Sequence, residues 1–246
     1  ERFTVKTYID SQQEHALVAI YDTGRNGSQT VALLNKLGVD VIGANLLDTT
    51  TINMAPDQYR KLTETAPYLI AMSLKDTLEL KFEPDSNQIE AQFSPSIPMP
   101  TNEQIVGVID TCFDVGKTYF SEWVEYHDEL DPQIGIAPED YTHGTEVTSL
   151  IVDGPTLNPA LDDGCGRFRV RHFAVAKSGN NSSFTIVKTI RNIVISNPDI
   201  KVWNLSLGSR LESPENTISP EAAMLDKLQN EYDIVFVVAG TNKTSR

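Results

Sequence analysis

The stretch Gln104-Ile105-Val106-Gly107-Val108-Ile109-Asp110 decides the fold. From Ile105 to Ile109 it is apolar or glycine throughout, with no polar residue alternating. It therefore reads as a strand buried on both faces, the kind found inside a parallel sheet. Three more strand-like runs follow at residues 169–176, 201–207 and 234–239. Helix-length stretches lie at 143–151, 183–196 and 220–230. Strands separated by helices of that length predict an α/β fold with a doubly wound, mainly parallel sheet.

Working back toward the first residue, the pattern changes. Residues 83–102 carry Pro84, Pro95, Pro98 and Pro100 and little helical periodicity, which marks a Pro-rich linker at 81–101. Before it, residues 1–80 form a first domain. Residues 15–21 are an apolar strand closed by the turn Asp22-Thr23-Gly24. Ser28 caps a helix carrying Val31, Leu33, Leu34 and Leu37 that stops at Gly38. Residues 39–47 and 50–54 read as two strands, 55–65 as a helix with Pro56 in its first turn, and 68–74 as a last strand. That order is a small α+β, ferredoxin-like split βαββαβ sandwich. It holds no catalytic constellation of its own. The second domain spans 102–246.

Composition narrows the function. The chain has 246 residues, 40% hydrophobic and 22% charged, with a net charge of −14. Long enough for one or two domains, it can build a core without disulfide or metal staples. So acidic a protein repels phosphate backbones, which argues against nucleic-acid binding. Its apolar runs are far shorter than the roughly 18 residues of a membrane span. Two cysteines, Cys112 and Cys165, are too few for a disulfide framework and lack metal-type spacing. No metal or other cofactor is expected. The charge is uneven: residues 101–166 hold 14 acidic side chains against one basic residue, Lys117. That block reads as a solvated face, or as an acidic rim beside a site.

Ligands and reactive groups in such sheets gather at the carboxyl ends of the strands. Asp110 stands there, although an Asp at a strand end is also a common turn cap. His143 follows in Thr142-His143-Gly144-Thr145, where small neighbours let a ring project from the start of a helix. The strand Val202-Trp203-Asn204-Leu205-Ser206-Leu207-Gly208 ends in polar residues and glycine, an edge on which an extended peptide can pair. The strand from Ile234 ends Ala239-Gly240-Thr241-Asn242, which offers a side-chain amide to a developing oxyanion. Taken singly, each of these is equally a buried strand followed by a turn.

Together the four segments resemble the subtilisin-like serine proteases, or subtilases. In that family the aspartate stands in D-T/S-G, the histidine in H-G-T-H-V, a substrate-binding strand reads N-x-S-L-G and an oxyanion asparagine closes A-A-G-N. The matching stretches here are Asp110-Thr111-Cys112, His143-Gly144-Thr145-Glu146-Val147, Asn204-Leu205-Ser206-Leu207-Gly208 and Ala239-Gly240-Thr241-Asn242. Their order is also the family's. The resemblance implies a serine endopeptidase acting on peptide or protein substrates. In it Asp110 orients His143, Asn242 binds the oxyanion, and residues 204–208 hold substrate. It also implies that residues 1–80 are an inhibitor-type prodomain acting on the same chain, and it favours a secreted over a cytoplasmic protein where composition leaves the compartment open. Family members often bind Ca²⁺, but no EF-hand-like spacing supports a site here.

This sequence departs from the family pattern in several places. Cys112 replaces a glycine, which requires a negative φ there, and Glu146 replaces the second histidine of the family motif. At the oxyanion position the register is open between Thr241 and Asn242, with the amide of Asn242 the better oriented donor. The family's nucleophile motif, G-T-S-x-A-x-P, is absent from these 246 residues, and so is any G-x-S-x-G elbow. Ser149 and Ser206 read as structural. The expectation is therefore an incomplete catalytic domain without peptidase activity of its own. The alternative is a pseudoprotease or protein-interaction module on the same fold. An α/β nucleotide binder is disfavoured, because no phosphate-binding glycine motif follows any strand.

Overall fold

The computed structural model describes residues 15–75, 78–80, 96–116, 119–130, 135–162, 164–207 and 218–239. The chain divides into two compact units, Glu1–Thr77 with Ser182–Phe184, and Leu78–Asn181 with Thr185–Arg246.

In the first unit, β1 (Ala16–Ile20) is the middle strand of a three-stranded antiparallel sheet, flanked by β2 (Thr51–Met54) and β3 (Ile70–Lys75). Helix α1 (Gly27–Lys36) begins at Asn26 rather than at Ser28. The Asn26 side chain accepts the Gln29 N–H at 3.0 Å and the Gln29 side chain accepts the Asn26 N–H at 3.2 Å, a reciprocal capping box. Ser28 instead donates its hydroxyl to Asn26. After α1, Gly38 takes φ 78°, the left-handed conformation that glycine adopts without strain. Helix α2 (Pro56–Thr65) starts on Pro56, whose missing N–H costs nothing at a first position. The core gathers Val18, Leu34, Ile52, Met54 and Leu62, all fully buried.

One expected strand is not there. Residues 39–47 run as a loop with a 3₁₀ turn at Gly43–Asn45 and a single bridge, Leu46 to Ile52. The Asn35 side chain takes both polar groups of the Val41 backbone, accepting its N–H at 2.9 Å and donating to its C=O at 3.1 Å. Those groups have no need of a ladder. Val39 and Val41 are buried all the same, so the apolar spacing that reads as a strand is a packing signal. The described residues of this unit thus give βαβαβ.

The second unit contains β4 (Leu78–Leu80), β5 (Ile105–Asp110), β6 (Val124–Asp128), β7 (Arg169–Ala174), β8 (Gly179–Asn181), β9 (Val202–Leu205) and β10 (Val235–Val238). Five of them form one parallel sheet in the order β10-β9-β5-β7-β6. β5 lies at its centre, as a strand without alternation must. Helices α3 (Thr142–Leu157), α4 (Ser183–Ser196) and α5 (Pro220–Tyr232) connect the strands, giving the expected α/β architecture. Gly107 lets the indole of Trp203 lie against β5, since a Cβ there would overlap the ring. Val108, Phe113, Phe120, Trp123, Val152 and Val170 build a core cluster in this unit.

Two features were not legible in the sequence. β6 lies inside the acidic block and forms the edge beside β7. Its half-buried Val124 and Tyr126 pack on the core, while Glu125 reaches Arg171 at 2.7 Å. The short strands β4 and β8 pair antiparallel with each other. Of the expected linker, residues 81–95 lie outside the described residues. Further along it, Pro98 accepts a hydrogen bond from the Trp123 indole at 2.9 Å.

Helix α3 runs past its expected end at 151, through a break at Asp153 with Pro155 inside it. The proline removes a helical hydrogen bond and crowds the preceding turn. Asp153, fully buried, accepts from Thr156 and from Arg167, each at 2.8 Å, and ties the broken turn together. No helix among the described residues is long and apolar enough to cross a membrane.

Candidate active site

Asp110 is the last residue of β5, the central strand, from which later strands extend to both sides. The carboxyl end of such a strand is a topological switch point, where α/β sheets open a crevice. The Asp110 side chain is fully buried. Its Oδ1 accepts three hydrogen bonds: from the Thr111 N–H at 2.6 Å, the Thr111 hydroxyl at 3.2 Å and His143 Nδ1 at 2.7 Å.

A carboxylate only accepts, so Nδ1 of His143 carries the proton in this pair. In the neutral ring the basic nitrogen is then Nε2. Burial pulls the His143 pKa down. The hydrogen bond and charge of Asp110, with the nearby charge of Glu146, more than reverse this, and the pKa lies above the ordinary histidine value. The ring is partly open to solvent, with 29% of its side chain exposed.

The sequence brings the two residues together through the loop after β5 and the first turn of α3. Gly144 donates its N–H to the Thr111 hydroxyl at 3.0 Å. Asp114 donates its N–H to the Thr145 hydroxyl at 2.8 Å, and that hydroxyl donates to the Tyr141 carbonyl at 2.6 Å. This close approach requires a glycine. A Cβ on Gly144 would stand 2.6 Å from the Cys112 carbonyl oxygen and 2.7 Å from that of Thr111. The small residues around His143 therefore do more than free its ring. They let α3 sit directly on the loop that carries Asp110.

Among the described non-glycine residues only Asp233 has a positive φ, so Cys112 replaces the family's glycine without strain. The Cys112 thiol is fully buried, and burial pushes its pKa up to about 11 even though the Tyr126 hydroxyl lowers it. Such a thiol is no nucleophile near neutral pH. Ser149 donates within α3 to the Glu146 carbonyl at 2.7 Å. Ser206 accepts from the Asn204 amide at 2.7 Å.

The remaining sequence candidates fall into two groups. Asn204 and Leu205 lie in β9, which is flanked on both sides by β5 and β10. No peptide strand can add at those two positions, and the chain past the ladder begins at Ser206 and Leu207. Because Leu205 faces Ile109, Ser206 follows at the level of Asp110. Gly208, Thr241 and Asn242 lie outside the described residues.

Asp140, one of the acidic residues between Asp110 and His143, is buried. It accepts the Ala137 N–H at 2.9 Å and the Ser178 N–H at 2.8 Å, so it is a brace and no part of a charged rim. His172, on β7, was not singled out by the sequence, since a lone histidine in a strand carries no signal. It is fully buried and bonds both Thr111 and Thr148. Among the described residues no group of three or more His, Cys, Asp or Glu is placed to hold a metal ion.

A sequence model of the subtilase family matches residues 101–246. Among solved structures, the chain is similar to the epidermin leader peptide processing serine protease (EpiP) of Staphylococcus aureus. The TM-score is 0.53 at 16% identity, over 93% of this chain and 60% of that one. A serine-to-alanine mutant of the same protease gives a TM-score of 0.52 at 16% identity, over 93% of this chain and 61% of that one. The chain thus spans about 60% of the length of these relatives. A search of the curated proteins finds no match.

Proposed function

The chain belongs to the subtilase family, and from that premise we propose that it carries the aspartate and histidine of a serine endopeptidase. The observation that bears most weight is the 2.7 Å bond from His143 Nδ1 to the buried Asp110 carboxylate at the switch point of the sheet. In the reaction, a serine supplied from outside these 246 residues attacks the scissile carbonyl while His143 Nε2 takes its proton. Asp110 holds the imidazole in the required tautomer and stabilises the imidazolium. Asn242 donates its amide to the oxyanion of the tetrahedral intermediate. His143 then returns the proton to the leaving amine. Water, deprotonated by His143, hydrolyses the acyl-enzyme and frees the serine.

Substrate backbone is held near Ser206 and Leu207. Residues 1–80 are read as a prodomain that inhibits the enzyme, and the protein as secreted. Glu122, Glu125, Asp128, Glu129 and Glu139 are exposed between the two site residues. Where they border the cleft, they raise the local concentration of substrates with Lys or Arg, an effect that fades with salt.

The test is peptide turnover by the complete protein that contains this chain, with His143→Ala as control. Turnover lost on that substitution supports the reading, and turnover that survives it defeats the reading. Hydrolysis by the 246 residues alone, abolished by His143→Ala, would overturn the external serine.

A further inference from the structure

His172 occupies a position no motif would select. It lies on β7 with none of its surface exposed, its ring against those of Phe113 and Tyr126. Both ring nitrogens are engaged, and they reach different elements. Nε2 is 2.7 Å from the carbonyl oxygen of Thr111, in the loop after β5, and Nδ1 is 2.8 Å from the hydroxyl of Thr148, in α3. A carbonyl only accepts, so Nε2 carries the proton. Burial lowers the His172 pKa, opposed by the Thr111 carbonyl and the charge of Asp110, so the ring is neutral and Nδ1 accepts the Thr148 hydroxyl proton.

What the two bonds join matters more than the bonds themselves. Thr111 supplies two of the three hydrogen bonds to Asp110 Oδ1, and its hydroxyl also receives the Gly144 N–H. Thr148 stands little more than one turn after His143 on the same helix. The ring also stands close over Gly144, where an added Cβ would come within 3.0 Å of the His172 Cε1. One rigid ring thus spans from the residue that orients the aspartate to the helix that carries the histidine.

We infer that His172 is a positioning residue that sets the spacing of Asp110 and His143 by tying Thr111 to Thr148. This rests on reading that pair as the catalytic one. An apolar side chain of similar size could fill the space but could not fix the Thr111 peptide or the rotation of α3. A misplacement of about 1 Å between reacting groups can cost about a hundredfold in rate.

The test reads the titration midpoint of His143 by NMR in this chain, a quantity independent of turnover. The wild-type midpoint lies above the ordinary value of about 6.5, and Asp110→Asn gives the midpoint without the partner charge. His172→Leu, which can bond neither threonine, is expected to lower the His143 midpoint by about half a unit or more toward that of Asp110→Asn. His172→Gln keeps a donor for the Thr111 carbonyl and is expected to restore most of the shift. In the complete protein His172→Leu is expected to lower kcat by about tenfold at unchanged KM.

A folded His172→Leu variant with the wild-type midpoint overturns the inference. Should that variant fail to fold, Thr148→Val, nearly the same shape, decides: a lowered His143 midpoint supports the inference and a wild-type one overturns it. A lowered midpoint in a protein without peptidase activity would sustain the positioning role and sink only the proposed function.

Discussion

Both units sandwich helices against sheets, yet they bury different things. Between residues 16 and 75 the buried polar side chains among the described residues are Thr30 and Thr51, both neutral. Between 105 and 175 they are Asp110, Thr111, Asp140, Thr145, Thr148, Asp153 and His172, four of them ionisable. A buried charge is expensive unless paired and hydrogen-bonded. The second unit meets that cost site by site, with Thr111 serving Asp110 and His172, the Ala137 and Ser178 amides serving Asp140, and Thr156 and Arg167 serving Asp153, and the first avoids it altogether. The contrast separates a segment whose sequence serves packing from one whose sequence serves the placement of charge.

The sharpest way to break this contrast is to remove chemistry without removing volume. Asp110→Asn is expected to reduce kcat of the complete protein by about 10⁴-fold, because the amide no longer enforces the His143 tautomer. A peptidase assay showing less than a tenfold loss would deny the second unit its special role.

In the first unit the corresponding blow is to the core. Leu62→Ala opens a cavity in a fully buried cluster and is expected to cost about 2–5 kcal/mol of that unit's stability. Hydrogen exchange of the β1 and β3 amides measures it, and the His143 titration should not move.

Gly144→Ala sharpens the comparison at a smaller scale. It adds one methyl where the Cys112 and Thr111 carbonyls leave no room, an overpacking cost of about 1–3 kcal/mol. Denaturant unfolding followed by tryptophan fluorescence reads the second unit directly, because Trp123 and Trp203 are the chain's two tryptophans. An unchanged midpoint would mean that helix and loop are less tightly apposed than their geometry indicates.

The smallest effect is on pH dependence. The folded pKa of His143 is raised, so its stabilisation is complete below about 6.5 and is lost as pH rises through the folded value. The folded pKa of His172 is lowered. Its neutral form is required, and stability falls as pH drops from about 6.5 toward that lower value. Between pH 5 and 8 the tryptophan-reported stability should peak near neutrality. Asp110→Asn should flatten the alkaline limb and His172→Gln the acid limb. A curve that rises monotonically across this range would contradict the opposed shifts.

How much of this was legible in the sequence follows the same division. β5 announces itself, because burial on both faces leaves an unbroken apolar run. β6 hides, because an edge strand with one wet face carries Glu125 and Asp128 among charges that look like a loop. Residues 39–47 mislead in the opposite sense, since Asn35 satisfies a backbone whose side chains keep a strand's apolar spacing. At the site, Asp110 and His143 stand in recognisable local contexts, and the structure brings them within hydrogen-bond distance. Thr148 and His172 are invisible beforehand, because their importance lies in contacts across the fold. Asn204 and Leu205 are the last two residues of a strand whose pairing on both sides only the sheet order reveals.

The place of β5 at the centre of the sheet also sets a timetable. Its neighbours come late in the chain: Ile105 waits for Arg169, about sixty residues on, and Val106 for Val202, nearly a hundred. Ribosomes add about 5–20 residues per second, so the strand exists for several seconds before either flank does. Contacts so distant in sequence also close slowly once the chain is free. The residue that holds the imidazole is thus laid down at the end of a strand whose partners on both sides are synthesised only later.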